Sequence, residues 1–167
     1  AGINSWVLRD KADIFAHNLI VNELARHRPQ DSVLSEEGAD DLTRTQANRV
    51  WIVDPLDGSQ DYPYPGSEEW AVHIALVDNG QIVAGAVSCP SLNRLYSTAM
   101  RYPQERPVSD SKLVISNRWN SYQASYVADA IDARLASCGS AGIKASLVIG
   151  GEACLLYTSP SPRDGTK

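Results

Sequence analysis

The sequence predicts a layered α/β protein (mixed α+β), in which a sheet packs against helices, and three observations support this fold class. Short apolar runs at residues 32–34, 50–53 and 70–77 are typical of buried strands. Apolar residues at helical spacing precede the first of these runs: Ala16, Leu19, Ile20 and Leu24. The chain has 167 residues, of which 43% are hydrophobic, and this is enough to fill a core.

The first predicted elements all carry acids at their ends. The helix has Asp13 at its start, and the strand after it ends in Glu36 and Glu37. The next strand runs directly into Asp54.

Two strands, residues 70–77 and 81–88, are predicted to form a hairpin, because the Asn-Gly pair between them favours a tight turn. Both faces of these strands are apolar, so we expect helices to cover one side of the sheet and packing to cover the other. We expect His73 to be a satisfied core or near-core histidine rather than a ligand. A further strand, residues 94–99, is predicted to continue the meander.

A polar loop over residues 102–110 separates this sheet from the second half of the chain. There the apolar run 113–115 predicts another strand. Apolar residues at helical spacing come next, and we expect them to form a core-facing stripe: Tyr122, Tyr126, Val127, Ile131 and Leu135.

The turn after residues 50–53 holds two carboxylates close together. Asp54 and Asp57 are separated by Pro55, which fixes its own φ, and Gly58 permits the bend that follows. Two neighbouring carboxylates repel each other, and a divalent cation between them relieves the repulsion. Oxygen ligands favour Mg²⁺. The alternative interpretation is that Asp-Pro and Asp-Gly are ordinary turn formers.

Composition excludes some classes of function. The net charge of −5 argues against a general nucleic-acid binder. We see no signal-peptide pattern and no apolar run long enough to span a bilayer. The cysteines Cys89, Cys138 and Cys154 are odd in number and widely spaced, which fits a reducing cytoplasm and small apolar fillers better than a disulfide framework.

An ordered series of motifs resembles one known family. The pair Glu36-Glu37, followed by the Asp-Pro-Leu-Asp-Gly-Ser block at residues 54–59, is similar to the pattern of the inositol monophosphatase superfamily of magnesium-dependent phosphatases. Four segments resemble its bacterial 3'(2'),5'-bisphosphate nucleotidase branch, the CysQ type: residues 33–37, 49–53, 70–73 and 139–144. The resemblance covers roughly residues 10–153. It implies an inositol monophosphatase-like αβαβα sandwich, of which we expect this chain to form only a part.

The resemblance also implies a metal-ligand set. Glu36 corresponds to a ligand of the first metal, and Asp54 corresponds to a carboxylate that bridges two metals. The carbonyl of Leu56 and the carboxylate of Asp57 complete the implied set of ligands.

The same resemblance implies the catalytic and substrate contacts. Asp13 and Ser59 would position and deprotonate a water molecule that Glu36 also orients. The N–H groups of Gly58 and Ser59 would open a short helix toward the phosphate, and Lys144 would supply positive charge. The residues implied at the substrate are Asp57, Gly58, Ser59, Ser140 and Lys144.

The implied reaction is direct hydrolysis of a phosphomonoester with two to three Mg²⁺ ions. The implied substrate is 3'-phosphoadenosine 5'-phosphate, which would give AMP and phosphate in the cytoplasmic recycling that accompanies sulfate assimilation. Inositol 1-phosphate or fructose 1,6-bisphosphate is an alternative substrate, and a non-catalytic metal- or phosphate-binding fragment is an alternative function. The expected partner is a small phosphorylated substrate, with no nucleic-acid polymer and no membrane span. Dimers are common in the superfamily, which allows a homodimer.

The chain departs from the family pattern at both ends. We expect a partial phosphatase domain over residues 1–153 and a non-family tail over residues 154–167. The tail has no hydrophobic period and contains two Ser-Pro steps, so we expect it to be extended or disordered. The family places a third metal-binding Asp beyond this point, and we therefore expect this chain alone to be feeble or inactive.

Overall fold

The computed structural model describes residues 4–39, 42–102, 112–116 and 122–156. The chain divides into two compact units, Ala1–Arg101 and Tyr102–Lys167. Both units combine strands and helices, so the predicted mixed α/β class is confirmed.

The first unit is built on a five-stranded sheet with the order β1-β2-β3-β4-β5. Strands β1 and β2 are parallel, and every later pair is antiparallel. The elements are helix α1 (Ser5–His27) and strands β1 (Ser32–Ser35), β2 (Arg49–Asp57), β3 (Ala71–Asp78), β4 (Gln81–Cys89) and β5 (Arg94–Ser97). The predicted meander is therefore present.

Helix α1 begins two turns earlier than the sequence pattern predicts. Asn4 is its N-cap, and the Asn4 side chain accepts a hydrogen bond of 3.1 Å from the N–H of Trp6. Asp13 consequently lies inside the helix and not at its start. The asparagine immediately before the helix is the signal that could have located this end.

The predicted hairpin between β3 and β4 is confirmed. Asn79 and Gly80 both have positive φ angles, 49° and 77°, as a two-residue turn of this kind requires. The expectation that both faces of the sheet are covered is not met in β2. Val53 is 2% exposed, whereas its neighbour Ile52 is 42% exposed, so one face is covered and the other is open.

The second unit has a three-stranded parallel sheet with the order β7-β6-β8. Its elements are β6 (Lys112–Ser116), α2 (Tyr122–Ala130), β7 (Arg134–Cys138), α3 (Ala141–Ile149) and β8 (Leu155–Leu156). Helix α2 packs Ala124 and Ala128 against Leu113 and Ile115 of β6.

The predicted core stripe of α2 is right for Val127, which packs against the buried cluster around Leu113, and wrong for the tyrosines. Tyr122 is 88% exposed and Tyr126 is 71% exposed, and Leu135 lies in β7 beyond the end of the helix. Small alanines allow the helix to approach the sheet closely, so the face that carries Ala124 and Ala128 is buried instead. The tyrosines share a helical period, but they lie on the opposite, solvent-facing side.

The predicted tail begins with ordered structure. Leu155–Leu156 form strand β8 beside β6, and the N–H of Cys154 donates a 2.9 Å hydrogen bond to the carbonyl of Lys112. The rest of the predicted tail, residues 157–167, lies outside the described residues.

The three cysteines are free thiols. Within the described ranges, none of the helices is both long and apolar enough to cross a membrane.

Candidate metal centre

Three elements of the first unit bring their acids to one edge of the sheet. Strands β1 and β2 are parallel, so the turn after β1 and the end of β2 lie side by side. The N–H of Glu36 donates a 3.2 Å hydrogen bond to the carbonyl of Val53, which fixes this turn beside β2. Helix α1 packs against β2 and carries Asp13 toward the same edge.

A break in strand register aims two carboxylates at one point. Residues three apart in a regular strand point to opposite faces, so Asp54 and Asp57 would diverge. The pairing of β2 with β3 shifts between these two residues, at a place where Pro55 has no N–H to donate. The N–H of Leu56 donates to Asp54 Oδ1 over 3.2 Å, which further fixes the Asp54 carboxylate.

His73 joins these two carboxylates. It lies opposite Asp54 in the β2–β3 ladder, and its Nε2 is 2.9 Å from Asp57 Oδ2. Oxygen or nitrogen atoms of Asp54, Asp57 and His73 all lie within 4.8 Å of one another. His73 is half-buried and hydrogen-bonded, as expected of a near-core histidine, but its partner is an acid of the candidate site.

Asp13 has the most perturbed carboxyl group of the cluster. Burial, followed by the negative charges of Glu37, Asp54 and Glu36, raises the pKa of Asp13 to about 7. Asp13 Oδ1 is also fully buried and has no hydrogen-bond partner in the described part of the chain. A buried carboxylate oxygen without a donor is costly unless a cation or water molecule binds it.

Asp54 and His73 are perturbed in a related way. Burial and the charge of Asp57 raise the pKa of Asp54 to about 6, although His73 acts in the opposite direction. Burial lowers the pKa of His73, but its hydrogen bond to Asp57 and the nearby negative charges outweigh burial, so the net direction is upward. Without a cation, the cluster therefore reduces its own repulsion by holding protons.

The donor set fits a divalent cation. Carboxylates from α1, the β1 turn and β2 provide several hard oxygen ligands, and Asp13 Oδ1 is an orphaned acceptor. The imidazole nitrogen of His73 adds a ligand type that Mn²⁺ and Zn²⁺ also accept. The cluster lies at one end of a groove of about 730 Å³ on the open sheet face, which Glu36, Asp54 and His73 help to line.

The turn after β2 differs from the predicted short helix. Gly58 has a φ of 81°, and its carbonyl accepts hydrogen bonds from the N–H groups of Asp61 (2.9 Å) and Tyr62 (3.2 Å). Residues 58–62 therefore form a hydrogen-bonded turn rather than a helix. Ser59 lies half-buried within it, two residues after Asp57.

Ser140 and Lys144 lie in the second unit. Ser140 is the N-cap of α3, and its hydroxyl accepts a 3.1 Å hydrogen bond from the N–H of Ile143. Lys144 is only 4% exposed. Both residues are buried in the second unit, Ser140 at the start of α3 and Lys144 within it. Their contact with substrate remains a prediction.

A family model described as "Inositol monophosphatase family" matches residues 8–164. The 3'-phosphoadenosine 5'-phosphate phosphatase of Mycobacterium bovis is 37% identical over 155 residues, which cover 87% of this chain and 58% of the relative. The 3'(2'),5'-bisphosphate nucleotidase CysQ of Escherichia coli K12 is 40% identical over 89 residues, which cover 53% of this chain and 36% of that protein. The chain thus spans little more than half the length of the first of these relatives.

Solved structures show the same fold. A structure described as "IMPase/NADP phosphatase complexed with Mg2+ and phosphate" superimposes with a TM-score of 0.66 and 19% identity, and it covers 85% of this chain and 58% of the other. At this level of identity, the similarity shows a shared fold.

Proposed function

The chain belongs to the inositol monophosphatase family, and from that premise we propose that the protein is a Mg²⁺-dependent phosphomonoester hydrolase that removes the 3'-phosphate of 3'-phosphoadenosine 5'-phosphate. The products would be AMP and phosphate. One observation carries the proposal: acids from three separate elements, Asp13, Glu36, Asp54 and Asp57, meet at one edge of the sheet.

The residues that would hold the metal are those of this edge. Glu36, Asp54 and Asp57 supply carboxylates, and the carbonyl of Leu56 is the proposed backbone ligand. Two to three bound Mg²⁺ ions would supply charge neutralisation for the phosphoryl oxygens and a lowered pKa for bound water. The unpartnered Asp13 Oδ1 supports this assignment, because it is an acceptor with no donor among the described residues.

The proposed proton acceptor is Asp13, acting with the Ser59 hydroxyl. A general base must lie within reach of the water it deprotonates, and Asp13 lies beside the charges of Glu36 and Asp54 at the proposed metal site. Glu36 would orient the attacking water. The proposal needs no covalent nucleophile, because the water itself attacks the phosphorus and the ribose oxygen leaves.

The nucleotide substrate is supported by the relatives and not by a visible adenine pocket. The Mycobacterium bovis relative is named for 3'-phosphoadenosine 5'-phosphate. We assign the N–H groups of Gly58 and Ser59, with Asp57 nearby, to the phosphate. Ser140 and Lys144 are the proposed second contact, where Lys144 would supply positive charge.

We further propose that the protein acts in the cytoplasm, where it recycles the nucleotide by-product of sulfate assimilation. We also propose that it is a dimer. Resemblance to the nucleotidase branch is the support for this part. Fractionation of the source cells and light scattering of the purified protein would test it.

Phosphate release tests the proposed activity. Because the chain spans 58% of the Mycobacterium bovis relative, the assay uses this chain and the same chain extended with the remaining residues of that relative. Each is supplied with 3'-phosphoadenosine 5'-phosphate, inositol 1-phosphate or fructose 1,6-bisphosphate, with Mg²⁺ or with a chelator. We expect Mg²⁺-dependent release in the extended chain, fastest from the nucleotide and at least about a hundredfold slower in Asp54→Asn.

Other outcomes would change the proposal in defined ways. Faster release from inositol 1-phosphate or fructose 1,6-bisphosphate would retain the reaction and replace the substrate. Binding of Mg²⁺ without turnover in the extended chain would favour a non-catalytic metal or phosphate binder. Equal turnover in Asp54→Asn would overturn the assignment of the site.

A further inference from the structure

One hydrogen bond connects the helix that carries Asp13 to the strand that leads into Glu36. His17 Nδ1 lies 2.7 Å from the hydroxyl of Ser35, the last residue of β1. Ser35 is 7% exposed, so little water competes for this contact. The ring nitrogen and the hydroxyl can each donate or accept, and both directions give the same distance constraint.

His17 lies one helical turn after Asp13. Residues four apart lie on the same face of a helix, so the two side chains point toward the same part of the sheet. Helix α1 buries no residue completely against the sheet. Its apolar residues are at most half-buried, so a polar contact at this point contributes to where Asp13 lies.

The imidazole ring also packs against the acidic turn itself. The N–H of Gly38 donates a 3.1 Å hydrogen bond to the carbonyl of Ser35, which closes the turn that contains Glu36 and Glu37. A Cβ added to Gly38 would lie 3.2 Å from His17 Cε1. The ring is thus hydrogen-bonded to Ser35 at one end of the turn, and at the other end it borders the space that a side chain at position 38 would fill.

These contacts form a continuous connection between the acids. From Asp13 it runs one turn along α1 to His17 and across the hydrogen bond to Ser35. The next residue, Glu36, is joined through its N–H to the carbonyl of Val53, which precedes Asp54. Only the His17–Ser35 contact in this series joins side chains, so it can be removed without altering the backbone.

We propose that His17 is a positioning residue that, through Ser35 and Gly38, sets the spacing between Asp13 and the Glu36–Glu37 turn and thereby the affinity of the metal centre. The inference rests on the proposed function only in taking these acids as a metal centre. It needs no turnover, because its effect is on binding of the ion.

Metal titration of the 167-residue chain tests the inference. Mn²⁺ binding is followed by electron paramagnetic resonance and Mg²⁺ binding by calorimetry, well below the melting temperature of each variant. We expect His17→Ala and Ser35→Ala each to weaken binding about tenfold, as is typical when a partner of a ligand-bearing segment is removed. The double variant should be no weaker than either single variant, because both remove the same contact.

Two further variants separate positioning from general stability. Asn can present a polar atom near the position of His Nδ1, so His17→Asn should restore binding to within about threefold. Gly38→Ala should weaken binding where His17 is present but have no added effect on His17→Ala, because the ring it would displace is then gone. Asn18→Ala, an exposed change on the same helix, should leave binding unchanged.

The possible failures can be told apart. If Asp54→Asn binds Mn²⁺ as well as the parent chain does, the metal centre and the proposed function both fail. If Asp54→Asn abolishes binding while Ser35→Ala, Gly38→Ala and His17→Ala retain it, only the role of His17 is overturned. If His17→Ala does not fold, Ser35→Ala and Gly38→Ala still test the proposal. Metal binding at the parent affinity in both of these variants would contradict it.

Discussion

At the residue scale, the contact between His73 and Asp57 joins the β3–β4 hairpin to the acidic cluster. The 2.9 Å separation of Nε2 and Oδ2 fixes one oxygen of the Asp57 carboxylate beside His73, and atoms of Asp54, Asp57 and His73 lie within 4.8 Å of one another. A residue that orients a ligand in this way raises metal affinity by reducing the freedom that the ligand loses on binding.

Replacement of His73 by Ala should therefore weaken Mg²⁺ binding about tenfold, because the Asp57 carboxylate would no longer be oriented. Calorimetric titration measures the change, and Gln81→Ala, an exposed change on the neighbouring strand, is the control. Binding of Mg²⁺ at the parent affinity in His73→Ala would show that Asp57 does not need this partner.

The acids of the site can be predicted from the sequence, but the direction in which their carboxylates point cannot. Asp54 and Asp57 are predictable site residues because they stand on either side of Pro55-Leu56 after an apolar run. Their convergence depends on a shift of register against β3, which is set by pairing with residues 71–73 and cannot be read from residues 54–57 alone. The contact of His73 with Asp57 depends on the same register, so the sequence alone does not show it.

At the element scale, the β3–β4 hairpin positions His73, and its turn is specified by two residues. Asn79 and Gly80 both adopt left-handed backbone conformations, which most residues avoid. A Cβ added to Gly80 would meet no atom within 4 Å, so any cost of a substitution there is a cost of backbone strain.

Gly80→Ala should lower the free energy of unfolding by about 1 kcal/mol, because an L side chain is strained at this positive φ. Gly85→Ala is the matched control, since Gly85 lies in β4 without a positive φ and its added Cβ would make an ordinary contact of 3.8 Å with the Ile74 carbonyl. Urea unfolding compares the two. A Gly80→Ala protein as stable as the parent would exclude the proposed strain.

Elements defined by local signals were predictable, and those defined by packing were not. The Asn-Gly pair specifies its turn locally, so the hairpin was found. The buried face of α2 depends on which side chains allow close approach to β6, and that favours Ala124 and Ala128 over the larger tyrosines. The spacing of the tyrosines predicts a helix, but it does not predict which face of the helix is buried.

At the scale of the whole molecule, the acidic cluster links stability to pH and to metal. The pKa values of Asp13 and Asp54 are raised from 3.8 to about 7 and about 6, so the folded chain holds protons in this range that the unfolded chain has released. His73, with its pKa also raised, acts in the same direction. The stability of the metal-free chain must then fall as pH rises between about 4 and 7.

Thermal unfolding in the presence of a chelator should show this directly. We expect the Tm of the metal-free chain to rise as pH is lowered from 8 to about 5, and Asp13→Asn should reduce the slope. Saturating Mg²⁺ should raise Tm most at pH 8, where the acids are ionised and no proton competes. A metal-free Tm that falls over the same range of decreasing pH would contradict the raised pKa values.

The central claim is that acids from α1, the β1 turn and β2 form one cation site, and titration of Mg²⁺ into the purified chain and into Asp54→Asn tests it most directly. Asp10→Asn, which removes an exposed charge from the same helix as Asp13, controls for net charge. We predict that Asp54→Asn loses Mg²⁺ affinity by at least about tenfold while its metal-free Tm rises at pH 8, because one repelling carboxylate is gone. Equal Mg²⁺ affinity in the parent, Asp54→Asn and Asp10→Asn would contradict the claim.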